Sequence, residues 1–189
     1  MRLLLASANP HKRRELARLL SPHRIDPLPG CVELPPEVGA TFADNALIKA
    51  HAAAAATGRA AFADDSGVEA QALGGAPGVR SARYAGESAT DEENLEKLRA
   101  QAPPGSALAY VCAIAYLDPA TGAEALVEGR CTGTLAAEPR GEGGFGYDPI
   151  FLPDDRDDNR TMAQLSDAEK DAISHRGRAA RALLACLSR

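Results

Sequence analysis

The stretch TFADNALIKAHAAAAATGRAAFADDSG, residues 41–67, contains the two patterns that decide the fold. Its alanine-rich part predicts a helix that ends at Gly58, because glycine readily adopts the left-handed conformation found after helix C-termini. The small and apolar residues 61–63 then predict a buried strand that ends at Asp64 and Asp65. Adjacent carboxylates repel each other and resist desolvation. We therefore expect this strand end to lie in water or to hold a compensating cation.

The same alternation of strand and helix recurs along the chain. Asn9 is a helix-capping residue, and Pro10 suits the first turn of the helix that follows it. Capping boxes at Ser166 and at Thr90 mark two further helix starts. Late in the chain, two apolar segments separated by a turn predict an antiparallel pair of strands. These patterns predict an α/β fold with a mixed β-sheet flanked by helices. Strands are predicted over residues 2–6, 60–64, 107–118 and 125–136, and helices over 41–58, 90–101 and, with a break near Gly177, 165–187.

Length and composition limit the class of protein. A chain of 189 residues suits one domain, so residues 1–189 are predicted to form a single domain. The formal net charge of −5 argues against broad binding to nucleic acid, which needs clustered cations. The apolar N-terminal run is too short for a signal peptide, and no run has membrane-spanning length. The four widely spaced cysteines predict buried free thiols rather than disulfides or zinc ligands. We expect a cytoplasmic protein with neither a nucleic-acid nor a membrane partner.

The loop SANPHK, residues 7–12, is a candidate phosphate site. Backbone N–H groups at a helix start and the helix dipole attract anions, and Lys12 adds a full charge. Taken alone, the segment is explained more simply by an ordinary capped helix with a solvated lysine, and the P-loop pattern is absent. Lysine is scarce in this chain, with four against 17 arginines. Three of the four lie in or near candidate segments, whereas Lys97 is predicted to lie on an exposed helix.

The acidic residues predict a metal site. A carboxylate at the carboxyl end of a strand lies where α/β proteins bind ligands. Mg²⁺ prefers hard oxygen ligands from one or two carboxylates, completed by phosphate and water. Asp64 and Asp65 fit this pattern, and Glu37 is a further isolated acid in a proline-rich loop. A solvated turn remains the alternative for the aspartates.

Two later segments suit a nucleobase and phosphates. In GGFGYDPIF, residues 143–151, glycines let the backbone approach a flat ligand closely, and aromatic rings can stack on a base. Asp148 can accept hydrogen bonds from a sugar hydroxyl or a ring N–H. EKDAISHRGR, residues 169–178, brings three donors near the predicted helix break. Core aromatics and a solvated basic helix end are the alternatives. The aromatic residues are Phe145 and Tyr147, and the donors are Lys170, His175 and Arg176.

Cationic donors, acids and stacking groups together predict a nucleoside triphosphate ligand with Mg²⁺. Their order along the chain resembles the inosine triphosphate pyrophosphatase family, from Ser7 to about Leu184. The segments that carry the resemblance are SANPHK, LPPEVGATFADNALIKA, ADDSG, LGGAPGVRSARYAG, GGFGYDPIF and EKDAISHRGRA.

The resemblance implies an elongated mixed sheet in two lobes with the active-site cleft between them. It also implies a homodimer and Mg²⁺-dependent hydrolysis of dITP, ITP and XTP to the monophosphate and pyrophosphate.

The resemblance also assigns roles to individual residues. Glu37 and Asp65 would hold Mg²⁺, and Asp65 would in addition act as the general base. Whether Asp64 also binds the metal, and what Arg83 contacts, is left open. Substrate contacts are assigned to Ser7, Ala8, Asn9, Pro10, His11, Lys12, Lys49, Ser66, Phe145, Gly146, Tyr147, Asp148, Lys170, His175 and Arg176.

Two alternatives remain at this stage. A pyrophosphatase for modified pyrimidine or methylated nucleotides would use a similar fold. A nucleotide sensor without catalysis would also bind a triphosphate, but the paired acids argue against it because a pure anion binder needs donors. The order of preference among dITP, ITP and XTP does not follow from the residues.

Overall fold

The computed structural model describes residues 1–188 and contains one six-stranded sheet. The strands are β1 (Arg2–Leu5), β2 (Arg24–Pro27), β3 (Ala61–Ala70), β4 (Ala107–Asp118), β5 (Ala123–Leu135) and β6 (Phe151–Pro153). Their order in the sheet is β2-β1-β3-β4-β5-β6. β1 pairs in parallel with both β2 and β3, and β6 pairs antiparallel with β5. The predicted mixed sheet is therefore confirmed, whereas β2 was not predicted.

Within residues 1–188, five α-helices accompany the sheet, and most begin at the predicted caps. The side chain of Asn9 caps the first helix, and capping boxes at Thr90 and Ser166 start the third and fourth. The break before the last helix lies at Ser174, which has extended backbone, and not near Gly177 as predicted. A glycine inside a helix costs only about 1 kcal/mol, so tertiary packing readily overrides it. The helices are α1 (Pro10–Leu19), α2 (Phe42–Thr57), α3 (Asp91–Gln101), α4 (Asp167–Ile173) and α5 (His175–Leu187).

The chain forms two compact units, each with its own apolar core. The first unit comprises Met1–Asp65, Cys112–Gly129 and the segment from Arg176 onward. The second comprises Ser66–Val111 and Arg130–His175. Leucine and alanine dominate the first core, as the lack of tryptophan requires, and aromatic residues enter the second. Fully buried members of the first core include Leu3, Leu5, Leu16, Leu20, Phe62, Ile114 and Leu183, and those of the second include Val68, Leu98, Ile150 and Phe151.

The strand predicted to end at the two aspartates continues to Ala70, so the predicted end of the strand is wrong, and so is the alternative of a solvated turn. Successive side chains along a strand point to opposite faces of the sheet. The carboxylates of Asp64 and Asp65 therefore diverge and find different partners, which relieves their repulsion without a turn. The strand continues past Gly67, where a Cβ would lie 2.3 Å from Ser81 Oγ. Only glycine permits this close approach.

The structure confirms part of what was predicted for the cysteines. All four cysteines are free, as predicted. Cys112 and Cys131 are buried, whereas Cys31 and Cys186 are exposed, contrary to the expectation of buried thiols. Within residues 1–188, none of the helices combines the length and the hydrophobicity needed to cross a bilayer.

Candidate functional site

Two residues of α2 hold the side chain of Asp65 on β3. Asn45 Nδ2 donates to Asp65 Oδ2 at 3.0 Å, and Lys49 Nζ donates to Oδ1 at 3.4 Å. Asn45 and Lys49 are four residues apart, which places them on one face of the helix. Asp65 is only 5% exposed, and this burial raises the pKa of its carboxyl, although the Lys49 charge opposes the shift. Asp65 is therefore a more basic carboxylate than an ordinary aspartate.

Lys49 joins the two carboxylates that were predicted to bind Mg²⁺. Its Nζ donates to Glu37 Oε1 at 2.6 Å and to the backbone oxygen of Asp64 at 2.8 Å, in addition to Asp65. These contacts use all three donors of an ammonium group. Burial disfavours the charged form of Lys49, but the surrounding carboxylates outweigh it and raise the pKa. One cation thus already lies among the oxygens of Glu37 and Asp65.

The carboxylates of Glu37 and Asp65 fit Mg²⁺ if other groups complete the coordination shell. Glu37 and Asp65 are hard oxygen ligands that a shared cation holds together. Among residues 1–188, no group of three or more His, Cys, Asp and Glu side chains could hold a metal by itself. Magnesium is commonly bound by one or two carboxylates, with phosphate oxygens and water completing the shell. The arrangement therefore suits a metal that arrives with a polyphosphate.

Asp64 points to the other face of β3 and has different partners. Its Oδ2 lies 2.9 Å from Lys12 Nζ and 3.6 Å from Arg176 Nε, and its side chain is fully buried. Burial alone would raise the pKa of Asp64, but Lys12 and Arg176 lower it well below the ordinary value. Arg176 is also bonded to Glu15 of α1. The Asp64 carboxylate thus balances the charges of Lys12 and Arg176, whereas Glu37 is paired with Lys49.

The loop predicted to bind phosphates is organised by Asn9. Its Oδ1 accepts from the backbone N–H groups of His11 at 2.9 Å and Lys12 at 3.1 Å. Ser7 Oγ accepts from the backbone N–H of Asn9 at 3.2 Å. Two of the predicted backbone donors and the ammonium of Lys12 thus have partners within the chain. Ala8, Pro10 and His11 are exposed.

In the second unit, Asp148 organises the glycine-rich loop. Its Oδ2 accepts from the backbone N–H of Phe145 at 2.9 Å and from Lys170 Nζ at 2.7 Å, and its Oδ1 accepts from Tyr110 at 3.1 Å. Gly144 has φ of +73°, and a Cβ there would lie 2.0 Å from Asp148 Oδ2. Asp148 thus fixes the loop and is only 3% exposed.

An aromatic stack places His175. The rings of His175 and Tyr110 are nearly parallel, with centroids 4.5 Å apart, and Tyr110 stacks in turn on Phe151 at 4.4 Å. Lys170 Nζ lies 5.4 Å from the centre of the Phe145 ring, within the range of a cation–π contact. Phe145 is half-buried, so part of its surface remains accessible.

The structure changes the expectation for Tyr147. Its ring lies in the second core, 5% exposed, and its hydroxyl donates to the backbone oxygen of Ser81 at 2.8 Å. Burial raises the pKa of this hydroxyl. Because the faces of Tyr147 are covered, Phe145 is the aromatic residue of this loop whose ring could stack on a ligand. The neighbouring Gly146 N–H donates to Asp91 at 2.9 Å.

The expectation for Lys97 is corrected in the same way. Lys97 is half-buried, donates to the backbone oxygen of Tyr84 at 2.6 Å and lies over the Tyr84 ring. Ser66 is half-buried on β3, and Arg83 ends a short 3₁₀ segment 3.8 Å from Glu87.

The sequence prediction missed three residues of these clusters, Asn45, Tyr110 and Glu15. The spacing of Asn45 four residues before Lys49 could have indicated a shared helix face. Tyr110 and Glu15 gave no local signal, since each acts on a residue distant in sequence.

Known proteins resemble this chain over nearly its whole length. The dITP/XTP pyrophosphatase of Mycobacterium tuberculosis (strain ATCC 25618 / H37Rv) is 48% identical over 203 residues, which cover 98% of this chain and 95% of the relative. That of Erwinia tasmaniensis is 47% identical over 190 residues, covering 96% and 92%. The structure of a HAM1 protein from Coxiella burnetii matches with a TM-score of 0.86 at 42% identity, covering 100% of this chain and 98% of that chain.

The fold and these relatives together define the class of this protein, a hydrolase built on a mixed α/β sheet. The family model described as the Ham1 family matches residues 3–186. The chain therefore belongs to the Ham1 family. The names of the relatives also confirm the resemblance to inosine triphosphate pyrophosphatases that the sequence motifs indicated.

Proposed function

We propose that this protein hydrolyses the deaminated purine nucleoside triphosphates dITP, ITP and XTP to the monophosphate and pyrophosphate, with Mg²⁺. The single observation that carries the proposal is the pairing of Glu37 and Asp65 around the Lys49 ammonium. It supports a site for a cation among hard oxygens that needs phosphate to complete it. The relatives named dITP/XTP pyrophosphatase supply the substrate class.

Asp65 is proposed as both a metal ligand, together with Glu37, and the general base. Bound Mg²⁺ would neutralise charge on the phosphates. Asp65 would orient a water molecule toward the α-phosphorus and accept its proton. The raised pKa of this carboxyl supports that role, because a more basic carboxylate accepts a proton more readily. Asn45 would hold one oxygen of Asp65, and the other is the one that Lys49 contacts.

The cations of the first unit are proposed to bind the triphosphate. Lys12 and Lys49 would stabilise the negative charge that develops on the leaving pyrophosphate. The loop Ser7–Lys12 would contribute backbone donors, with Ala8 and Pro10 within it and Asn9 holding its shape. Ser66 is proposed as a substrate contact and not as a nucleophile.

The second unit is proposed to select the base. Phe145 offers an accessible ring for stacking, and Asp148 and Lys170 hold its loop. Donors at His175, the last residue of this unit, and at Arg176, which begins the following segment of the first unit, would bind the C6 oxygen of hypoxanthine or xanthine and reject the adenine amine. Gly146 and Tyr147 would shape the same loop.

The biological role proposed is removal of deaminated nucleotides from the pool before they enter DNA or RNA. We propose that the protein works in the cytoplasm as a homodimer. Its four free thiols are compatible with a reducing compartment.

A panel of triphosphates tests this function. ITP, dITP, XTP, GTP, ATP, dUTP and a methylated nucleotide are incubated with the protein and Mg²⁺, and ³¹P NMR identifies the products. We expect monophosphate plus pyrophosphate from ITP, dITP and XTP, and slow or no turnover of ATP and GTP. Release of orthophosphate would place the cleavage at another bond, and preference for a pyrimidine would assign the other enzyme class. Binding without any product would indicate a sensor.

A further inference from the structure

The side-chain amide of Asn45 links β3, which carries Asp65, to the loop that carries Glu37. These two carboxylates are the proposed metal ligands. Its Nδ2 donates to Asp65 Oδ2 at 3.0 Å, and its Oδ1 accepts from the backbone N–H of Gly39 at 2.7 Å. Gly39 lies two residues after Glu37, in a segment without regular secondary structure. Asn45 itself is completely buried. Both ends of this rigid, planar amide thus form hydrogen bonds. One end holds the Asp65 carboxylate, and the other holds the loop that carries Glu37.

Gly39 allows the loop to approach this amide. A Cβ at position 39 would lie 2.7 Å from Asn45 Oδ1 and 2.6 Å from Asp44 Cβ. Contacts below 3 Å force a shift of the backbone, and here the obstacle is the start of α2. The hydrogen bond between the Asn45 side chain and the Gly39 N–H therefore depends on residue 39 having no side chain.

Lys49 also links the loop that carries Glu37 to β3, but metal binding would break this link. It also contacts both Glu37 and Asp65, through its ammonium. A metal that binds these two carboxylates competes with the ammonium for the same oxygens. The Asn45 amide uses Asp65 Oδ2 and a backbone N–H instead, so it can persist when the metal is bound. Of the two links, the Asn45 amide is the one that metal binding would leave intact.

We propose that Asn45 is a positioning residue that sets the separation of Glu37 and Asp65 for the metal. This inference rests on the proposed function for the identity of the metal ligands, and it adds the device that holds them in place. Asn45 would contact neither phosphate nor metal, because both ends of its amide are bonded within the chain. It acts by fixing the loop that carries Glu37 and the orientation of the Asp65 carboxylate.

The expected effect follows from what such residues do at other metal sites. Removing a hydrogen-bond partner of a metal ligand commonly costs about 10–100-fold in metal affinity or activity. We therefore expect Asn45→Ala to raise the Mg²⁺ concentration for half-maximal ITP turnover by roughly tenfold or more. The rate at saturating Mg²⁺ should fall less, because excess metal restores occupancy.

A second measurement needs neither metal nor turnover. Hydrogen exchange of the Gly39 amide is followed by mass spectrometry or NMR in the metal-free protein. Loss of its hydrogen bond to Asn45 should speed this exchange by on the order of fivefold. Gly39→Ala disturbs the same bond from the loop side and should shift the Mg²⁺ midpoint in the same direction. It keeps the proposal testable if Asn45→Ala does not fold.

Each variant has a matched control. Asn94 is also buried, and its amide also has a partner at each end: it accepts from Ala85 N at 2.7 Å and donates to Ala82 O at 3.2 Å. Asn94→Ala should reduce thermal stability without moving the Mg²⁺ midpoint. Gly30 has open space where a Cβ would be, so Gly30→Ala controls for Gly39→Ala.

The outcomes separate this inference from the proposed function. A raised Mg²⁺ midpoint and faster Gly39 exchange in Asn45→Ala, with neither in Asn94→Ala, establish the positioning role. An unchanged midpoint or unchanged exchange in Asn45→Ala overturns it even if the parent protein hydrolyses ITP. If the parent protein shows no Mg²⁺-dependent turnover, the proposed function fails and the metal-positioning role fails with it. Exchange at Gly39 then reports only whether Asn45 holds the loop.

Discussion

Lys49 Nζ donates a hydrogen bond of 2.6 Å to Glu37 Oε1, and the same ammonium lies 3.4 Å from Asp65 Oδ1. The two carboxylates would repel each other without this charge. In the proposed function, a divalent cation would replace the ammonium on these oxygens and release it toward a phosphate. The contact therefore gives Lys49 two successive partners in the proposed reaction.

Replacement of this lysine separates its two roles. We expect Lys49→Met to bind Mg²⁺ more tightly than the parent protein, because a competing cation is gone. Turnover of ITP should nevertheless fall by roughly 10²-fold or more, because a cation that stabilises the leaving group is lost. The Mg²⁺ concentration for half-maximal ITP turnover and the rate at saturating Mg²⁺ measure the two effects. Lys97→Met is the control and should change neither, although it loses a bond to Tyr84. Weaker Mg²⁺ binding in Lys49→Met would contradict the replacement of one cation by another.

Asp65→Asn tests the general base. We expect turnover to fall by roughly 10²–10⁴-fold, the usual range for a lost acid–base group. Thermal stability should stay equal or rise, because burial raises the pKa of Asp65 and its ionised form therefore costs folding free energy at neutral pH. Chelation of metal with EDTA should abolish the activity of the parent protein, and Mg²⁺ should restore it. Activity within a few-fold of the parent would remove Asp65 from the mechanism.

Asp64→Asn should show the opposite pattern in stability. This carboxylate is fully buried against Lys12 and Arg176, so its removal leaves two cations with less compensating charge. Breaking a buried pair typically costs about 3–5 kcal/mol. Chemical denaturation at neutral pH should show a loss of this size. Stability equal to that of the parent would mean that Asp64 does not balance these charges.

The glycine-rich loop provides a pair of aromatic variants. Phe145→Ala should raise KM for ITP, because the accessible ring is the one proposed to stack on the base. Tyr147→Phe removes only the hydroxyl that donates to Ser81, and it should cost about 1 kcal/mol of stability with KM unchanged. Kinetics and thermal melts on both variants decide the assignment. A raised KM in Tyr147→Phe, with none in Phe145→Ala, would reverse it.

The lowered pKa of Glu169 predicts how the stability of the protein changes at acidic pH. Hydrogen bonds from Arg160 and Ser166 lower the pKa of its carboxyl from 4.5 to about 2. A lowered pKa in the folded state means that the contribution to stability is present above pH 4.5 and is lost as the pH falls toward 2. The difference in melting temperature between the parent and Glu169→Gln should therefore narrow from pH 6 to pH 3. Glu128→Gln, at an exposed position of β5, should show no such trend. A constant difference for Glu169→Gln would exclude this linkage.

Local patterns in the sequence determined most elements of the fold. The strand predicted at residues 107–118 has those bounds, and Gly58, Asn9, Thr90 and Ser166 cap helices as predicted. These features depend on neighbours within one turn or on the alternation of a strand, so they can be recognised without knowing the rest of the chain. The motifs that identified the family are local in the same sense.

Tertiary structure decided which side chains meet. Asn45 reaches Asp65 across 20 residues of sequence, and Tyr110 reaches Asp148 across 38. Continuation of β3 through Asp64 and Asp65 sent the two carboxylates to opposite faces, which their adjacency in the sequence could not indicate. Such contacts depend on which elements pack together and on the burial that results. A local pattern shows that a residue can bind a metal or a phosphate, but packing determines the partner its charge finds.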